Sequence, residues 1–266
     1  MLHELSIREL DETYIDENEF ININEIYHFL ETIVIQAIST QKAREYAAKV
    51  LAEQKALQLS KEQYRNFILN RFVEKNNRKF IVDEDNAEIF NMLLDYFTAD
   101  PEFESRYPEY SLHKGIMLVG GVGCGKTSMM RMFAVNPKNT FGVISSRAIA
   151  DEFASEGGDL IKKWWAPEYQ VLLTSNPFGH NRLGVCFDDM GTESEGKYFG
   201  NHKNVMGEII LNRYDRFSEF SGRTHLTTNL SAEEISRTYG PRVGSRIYQM
   251  FNVIVFPGSV KDRRRS

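Results

Sequence analysis

Five short runs typical of buried strands dominate the chain after residue 110, and stretches with helical spacing separate them. The runs cover residues 116–119, 141–145, 183–187, 224–228 and 252–256. Runs of this length, rich in apolar and β-branched residues, are typical of strands buried on both faces, and their alternation with helices is typical of parallel sheets. The pattern therefore predicts an α/β fold with a five-stranded, doubly wound parallel sheet.

The first 77 residues predict a small helical region instead of more sheet. Apolar positions repeat with helical spacing over 24–38, and residues 42–59 are rich in good helix formers. A short apolar run at 80–82 predicts a further strand, and Asp85 or Asn86 is placed to cap a helix that continues to residue 97. We therefore divide the chain into a helical N-terminal region, 1–77, and a sheet domain, 78–266.

Composition excludes several classes of protein. No run approaches 18 apolar residues, and the acidic start lacks the apolar stretch of a signal peptide. The two cysteines, Cys124 and Cys186, form no CxxC pair, which argues against a disulfide framework or a structural zinc site. We therefore expect a cytoplasmic protein without a membrane partner. The net charge of -5 does not decide for or against nucleic acid, because residues 110–266 carry twenty bases and fifteen acids.

A glycine-rich segment follows the first run directly and matches the pattern G-x-x-x-x-G-K-[ST]. It reads Gly120, Gly121, Val122, Gly123, Cys124, Gly125, Lys126 and Thr127, and Ser128 follows it. Glycines allow backbone N–H groups to turn around phosphate oxygens, and the helix that begins there points its positive end at them. In this pattern Lys126 contacts the β- and γ-phosphates and the Thr127 hydroxyl ligates Mg²⁺. The segment predicts a nucleoside triphosphate site.

Two acids, Asp188 and Asp189, follow the third run at its carboxyl end. Ligands of parallel α/β sheets bind at this edge, so both side chains are expected near the phosphates. We assign Asp188 to the hydrated Mg²⁺ and Asp189 to the water that attacks the γ-phosphate. A pair of turn-forming aspartates is the structural alternative.

Polar residues after the fourth and before the fifth run complete the candidate site. Asn229 follows the fourth run, and because Ser231 supplies the cap of the next helix, the Asn229 amide is free to face the γ-phosphate or the water. Arg242 and Arg246 lie four residues apart near a predicted helix start and so share one face. Two guanidinium groups on one face are suited to a phosphate of a neighbouring subunit, whereas the structural alternative is two solvated arginines.

Together these residues resemble the AAA+ ATPases. The stretches GVCFDDMGTE, NRYDRF, THLTTNLS and YGPRVGSRI are similar in order and spacing to the clade of DnaC-type helicase loaders and IstB-type transposition helpers. The resemblance covers residues 78–262. It implies a P-loop core in which Asn229 is the sensor-1 residue and Arg246 is the box VII arginine.

The resemblance also implies cofactors and partners. It implies ATP with Mg²⁺, slow hydrolysis, and a helical N-terminal region that binds a replicative DNA helicase during replication. Only ten residues follow the fifth run, so we expect no helical lid domain. In such lidless relatives a neighbouring subunit covers the nucleotide, and self-association is therefore expected to depend on ATP, with Arg246 acting across the interface.

Three alternatives stay open at this point. An IstB-like helper would direct a transposase instead of a helicase. A small-molecule kinase would use the same glycine-rich loop but needs acceptor-binding residues. A pseudo-ATPase would bind ATP only as a structural switch.

A single-stranded DNA contact is expected in the long connection between the second and third runs. This connection has about 37 residues and contains Lys162, Lys163, Trp164 and Trp165. The resemblance implies a helical insert here that lines the DNA path. Adjacent helical residues point about 100° apart, so we expect one indole to be exposed beside the lysines, where it would stack on a base. The alternative is that both rings are buried, and then Arg213, Arg216 and the arginines at 263–265 are the next candidates.

Overall fold

The structure, a computed structural model, describes residues 58–165, 177–178, 180, 183–193, 196–198, 201–260 and 262–263. The described residues form two sheets and ten helices. The strands are β1 (Gly115–Val119), β2 (Phe141–Ser145), β3 (Gly184–Met190), β4 (Gly196–Tyr198), β5 (Asn201–Lys203), β6 (Thr224–Thr228) and β7 (Phe251–Val255). The helices are α1 (Lys61–Asn76), α2 (Ala87–Phe97), α3 (Phe103–Arg106), α4 (Lys126–Phe133), α5 (Ser146–Glu156), α6 (Gly158–Trp165), α7 (Val205–Asp215), α8 (Phe217–Phe220), α9 (Ala232–Tyr239) and α10 (Pro241–Met250).

The main sheet has five strands in the order β2-β3-β6-β1-β7, and every neighbouring pair is parallel. The predicted α/β fold with a five-stranded parallel sheet is therefore confirmed. The chain leaves β1 for the far edge at β2, returns strand by strand, and adds β7 on the other side of β1. This arrangement makes the carboxyl end of β1 the point where the winding reverses, which is where ligands of open α/β sheets bind.

Helices cover the sheet on both faces. Along β1, Ile116 and Leu118 pack into a cluster with α1, α2 and α4, whereas Met117 packs into a second cluster with α5, α7, α9 and α10. Alternate residues of a strand point to opposite faces, so an uninterrupted apolar run fills both clusters. Two covered faces explain why the strand signal in the sequence was a continuous apolar run.

Helix α1 is an element that the sequence analysis did not predict. Ser60 and Gln63 form a capping box at its start, and Tyr64, Ile68 and Phe72 are buried at intervals of four residues. These three side chains belong to the cluster that covers β1. The helix lies in the compact unit that begins at Val50, although the sequence analysis assigned it to the N-terminal region.

Two details of the predicted elements differ in the structure. Residues 80–82 form no strand; Phe80 and Val82 pack against the core next to α2, while the Ile81 side chain is 68% exposed. The third strand continues past residue 187 to Met190 and so includes both aspartates. The helix predicted over 24–38 lies outside the described residues, as does nearly all of the stretch 42–59.

The described helices are short. None of them has the length and apolar character that a membrane-spanning helix requires.

Candidate functional site

Residues from three neighbouring strands meet at the carboxyl edge of the sheet. The glycine-rich loop follows β1, Asp188 and Asp189 end β3, and Asn229 follows β6, which lies between the other two strands. A cavity of about 560 Å³ opens there. Of the predicted site residues, Val122, Gly123, Gly125, Lys126, Thr127, Ser128, Asp189 and Asn229 line it. Its volume lies within the range of small-molecule and cofactor sites.

The glycine-rich loop turns tightly before α4 begins. Gly123 and Gly125 have φ values of 79° and 107°, which side chains with a Cβ rarely adopt. Gly125 is the N-cap of α4, and no side chain caps this helix end. The first N–H groups of α4 thus lack an intrahelical partner, and the positive end of the helix faces the cavity wall. Backbone N–H groups at a helix start of this kind are able to bind an anion.

Lys126 is almost fully buried, with 4% of the residue exposed. Its Nζ donates to the carbonyl oxygens of Gly120 at 2.8 Å and Gly121 at 3.0 Å, and to Oδ1 of Asn229 at 2.6 Å. A buried ammonium group requires such partners, because desolvation would otherwise be costly. The bond to Asn229 joins the loop after β1 to the end of β6.

Asp188 is held by hydroxyl groups from two sides. Thr127 Oγ1 donates to its Oδ1 at 2.8 Å, and Thr227 Oγ1 donates to the same oxygen at 2.6 Å. One hydroxyl and one carboxylate, both oxygen donors, therefore lie side by side at the start of α4. This donor set fits Mg²⁺, which prefers oxygen ligands and usually takes few of them from the protein.

Thr227 is a site residue that the sequence analysis did not identify. It is fully buried in β6, where its Oγ1 donates to Asp188 and accepts from the backbone N–H of Asp189 at 2.8 Å. A hydroxyl in the middle of a buried strand needs a polar partner. The run of threonines in THLTT was thus an available signal for a polar contact with the neighbouring strand.

Asp189 has an unusual backbone conformation. Its φ is 54°, and the pairing of β3 with β6 shifts register between Phe187 and Met190. Such a bulge changes the direction of a strand and often re-aims a side chain. The Asp189 carbonyl accepts from Thr192 Oγ1 at 2.8 Å and from Thr192 N at 3.2 Å. The two consecutive acids therefore have different surroundings: Asp188 accepts from the two threonines, and Asp189 lines the cavity.

The opposite wall comes from residues before β1 and after β7. It includes Phe72 at the end of α1, Phe80, Ile81 and Asp83 in the segment before α2, and Arg263. The sequence analysis did not place any of these five in the site. Their positions depend on how distant segments pack against the glycine-rich loop, which spacing along the chain does not show.

Arg242 and Arg246 lie outside this cavity lining. Pro241 begins α10, as predicted, and Arg242 on its first turn is exposed. The Arg246 guanidinium stacks 4.3 Å from the ring centroid of Tyr214. The described structure therefore places neither arginine beside Lys126 of its own chain.

The predicted DNA contacts lie on and beside α6. Trp164 and Trp165 are both half-buried and pack against the same apolar cluster, so the structure shows neither the expected exposed indole nor two fully buried rings. Lys162 is exposed, and Lys163 is paired with Glu152 at 2.9 Å.

Arg213 and Arg216, the next DNA candidates, are engaged within the fold. Arg213 is fully buried, donates to Thr224 Oγ1 at 2.8 Å and to the Trp164 carbonyl at 2.5 Å, and burial lowers its pKa to about 9. Arg216 pairs with Glu219 at 2.8 Å. The structure thus removes Arg213 from the candidates for DNA contact.

No model of a known protein family matches the chain, and no curated protein matches it significantly.

We predict that Thr227→Val destabilises the protein by about 1–3 kcal/mol, because it leaves the partly buried N–H of Asp189 without its acceptor and removes a donor from the buried Asp188. Urea unfolding measures this difference. Thr227→Ser is the matched control, since it keeps the hydroxyl and should recover most of the stability. A valine variant as stable as the wild type would contradict the role given to this hydroxyl.

Proposed function

We propose that the chain is a magnesium-dependent ATPase of the AAA+ type and acts as a DnaC-like helicase loader. The observation that carries the ATPase part is the meeting of Lys126, the Thr127–Asp188 pair and Asn229 at one sheet edge. The groups come from three neighbouring strand ends, because Lys126 and Thr127 follow β1, Asp188 lies in β3 and Asn229 follows β6. Each has the chemistry that phosphoryl transfer requires.

The glycine-rich loop and Lys126 are proposed to hold the phosphates. The N–H groups at the start of α4 lack intrahelical partners, and the buried ammonium lies within the same loop. Phosphate oxygens are stronger acceptors than the carbonyls of Gly120 and Gly121, so Lys126 can exchange these bonds for bonds to the nucleotide.

Thr127 and Asp188 are proposed to hold the metal, because their oxygens are 2.8 Å apart beside the loop. Bound Mg²⁺ would supply positive charge against the phosphate oxygens. The described residues contain no cluster of three or more His, Cys, Asp or Glu side chains that could hold an ion alone. A site with one carboxylate and one hydroxyl is consistent with Mg²⁺, which obtains its other ligands from water and substrate phosphates.

Asp189 and Asn229 are proposed to place the attacking water. Both line the cavity, and the Asp189 carboxylate is the one near the phosphates that the two threonine hydroxyls do not engage. It can therefore accept the proton of the water. The side-chain oxygen of Asn229 accepts from Lys126 Nζ, and this bond fixes the direction of the side-chain amide.

The apolar part of the cavity fits the base of a nucleotide. Phe72, Phe80 and Ile81 form that part, and the phosphate-binding loop lies in the same 560 Å³ cavity. Aromatic and aliphatic walls favour a flat heterocycle, although they do not choose among the bases. The choice of ATP, like the loader role, is supported by the resemblance to DnaC-type proteins.

An arginine acting in trans is proposed for Arg246. It does not line the cavity of its own chain, and its stacking on Tyr214 holds it at the surface of α10. A neighbouring subunit could then receive this guanidinium at its γ-phosphate. Such an arginine stabilises the charge that develops during transfer.

We predict that Lys126→Ala lowers ATP affinity at least about tenfold, or about 1.4 kcal/mol, because it removes the buried charge that faces the phosphates. Calorimetry in the presence of Mg²⁺ measures the affinity. The control is Lys75→Ala, which removes an exposed lysine outside the cavity lining and should bind ATP like the wild type. Equal affinity in the two variants would refute the phosphate site.

We predict that Arg246→Ala subunits and Lys126→Ala subunits, each inactive alone, recover ATP turnover when mixed. One type of interface in the mixture combines an intact loop with an intact arginine, and a trans arginine contributes about 10³–10⁵ in rate. Arg237→Ala on α9 is the control for loss of an exposed arginine and should keep wild-type turnover. No gain on mixing would argue against action in trans.

We predict that the full-length protein, loaded with ATP, captures a hexameric replicative helicase from host lysate. A variant without residues 1–49 leaves the unit that begins at Val50 complete and should lose the helicase while still binding ATP. Mass spectrometry identifies the captured protein. Capture of a transposase would favour the IstB-like alternative, and helicase capture by the shortened variant would contradict the role of the N-terminal region.

A further inference from the structure

The chain after β7 returns across the glycine-rich loop. Phe256 is buried and donates its N–H to the Val119 carbonyl at 2.8 Å, next to the start of the loop. Arg263 donates its backbone N–H to the Gly123 carbonyl at 3.1 Å. A methyl group added to Gly123 would lie 1.9 Å from Oδ1 of Asp262. We call residues 256–260 with Asp262 and Arg263 the strap.

The side chain of Arg263 connects the strap to the opposite wall. Its Nη1 and Nη2 donate to the two carboxylate oxygens of Asp83, both at 2.7 Å, and Nη2 lies 3.6 Å from Asp85. This two-bond geometry is the strongest form of an arginine–carboxylate pair. The bonds from Arg263 lower the pKa of Asp83, and the same pairing raises the pKa of Arg263.

The strap therefore ties together two walls of one cavity. Its backbone binds the glycine-rich loop at Gly123, and its guanidinium binds Asp83 in the segment beside Phe80 and Ile81. Those two walls are the proposed phosphate and base sides of the nucleotide site. Separation of the walls would break at least one of the two attachments of Arg263.

We infer that the strap closes the nucleotide site and slows nucleotide release, with Arg263 as the positioning residue that holds it shut. The inference rests on the proposed function. The cavity has a volume of about 560 Å³ while the Arg263–Asp83 pair is formed, and Gly125, Lys126 and Thr127 line it. Arg263 thus lies in the wall of the cavity and leaves its volume open, which fits a closure and not an inhibitor.

The test is the dissociation rate of a fluorescent ATP analogue with Mg²⁺, measured by stopped flow on the full chain. Arg263→Gln and Asp83→Asn should each speed release about fivefold, the effect of losing a partly exposed ion pair of about 1 kcal/mol. Because both variants break the same contact, the double variant should release no faster than either single one. Arg216→Gln, which breaks the Arg216–Glu219 pair outside the cavity lining, is the matched control and should release at the wild-type rate.

Hydrogen exchange on the wild type provides a second measurement that needs no variant. The Arg263 amide, bonded to the Gly123 carbonyl, should exchange more slowly when the analogue is bound. The inference that the strap slows nucleotide release would be overturned by either of two results. One is unchanged or slower release of the analogue in both single variants, and the other is unchanged hydrogen exchange at the Arg263 amide.

The outcomes also separate the strap from the proposed function. A wild-type protein that binds no nucleotide would overturn both. A second outcome would overturn the strap inference alone. In that outcome Lys126→Ala loses nucleotide binding, but Arg263→Gln and Asp83→Asn release the analogue at the wild-type rate.

Discussion

One oxygen atom, Oδ1 of Asp188, holds the candidate site together. It accepts from Thr127 at the start of α4 and from Thr227 in β6. It therefore joins β3 both to the helix after β1 and to the strand that precedes Asn229. Asp188 is buried, with 5% of the residue exposed, and a buried charge is costly unless hydrogen bonds satisfy it. This requirement keeps Asp188 at hydrogen-bond distance from both Thr127 and Thr227, and so it sets the spacing of the three strand ends.

The strand order makes that junction possible. Because β6 lies between β1 and β3, the end of β6 can reach both neighbours: Thr227 bonds to Asp188, and Asn229 bonds to Lys126. If β3 were next to β1, there would be no intervening strand to supply these two polar groups. The sheet topology therefore determines which side chains can meet the glycine-rich loop.

Much of this arrangement was predictable from the sequence. The features that were not predicted depend on contacts between segments that are distant along the chain. The five strands and their parallel pairing follow from short runs rich in apolar and β-branched residues, which are buried on both faces. The spacing of the glycines, Lys126 and Thr127 identifies the loop. The bulge at Asp189 and the contact of Thr227 depend on register between strands, which a single sequence does not encode locally. The run 80–82 was misread as a strand because Phe80 and Val82 pack against the apolar cluster that includes α1 and α2, without pairing to any described strand.

Gly123 shows how two constraints can share one residue. Its positive φ is what the tight turn of the loop requires, and this requirement alone explains a glycine in the sequence pattern. The structure adds a second reason, because any Cβ at this position would overlap the carboxylate of Asp262. Its carbonyl also accepts from Arg263, whose side chain reaches Asp83 on the far wall. The glycine that shapes the proposed phosphate loop therefore also leaves room for the segment that crosses it. The geometry of the loop and the position of the strap consequently cannot vary independently.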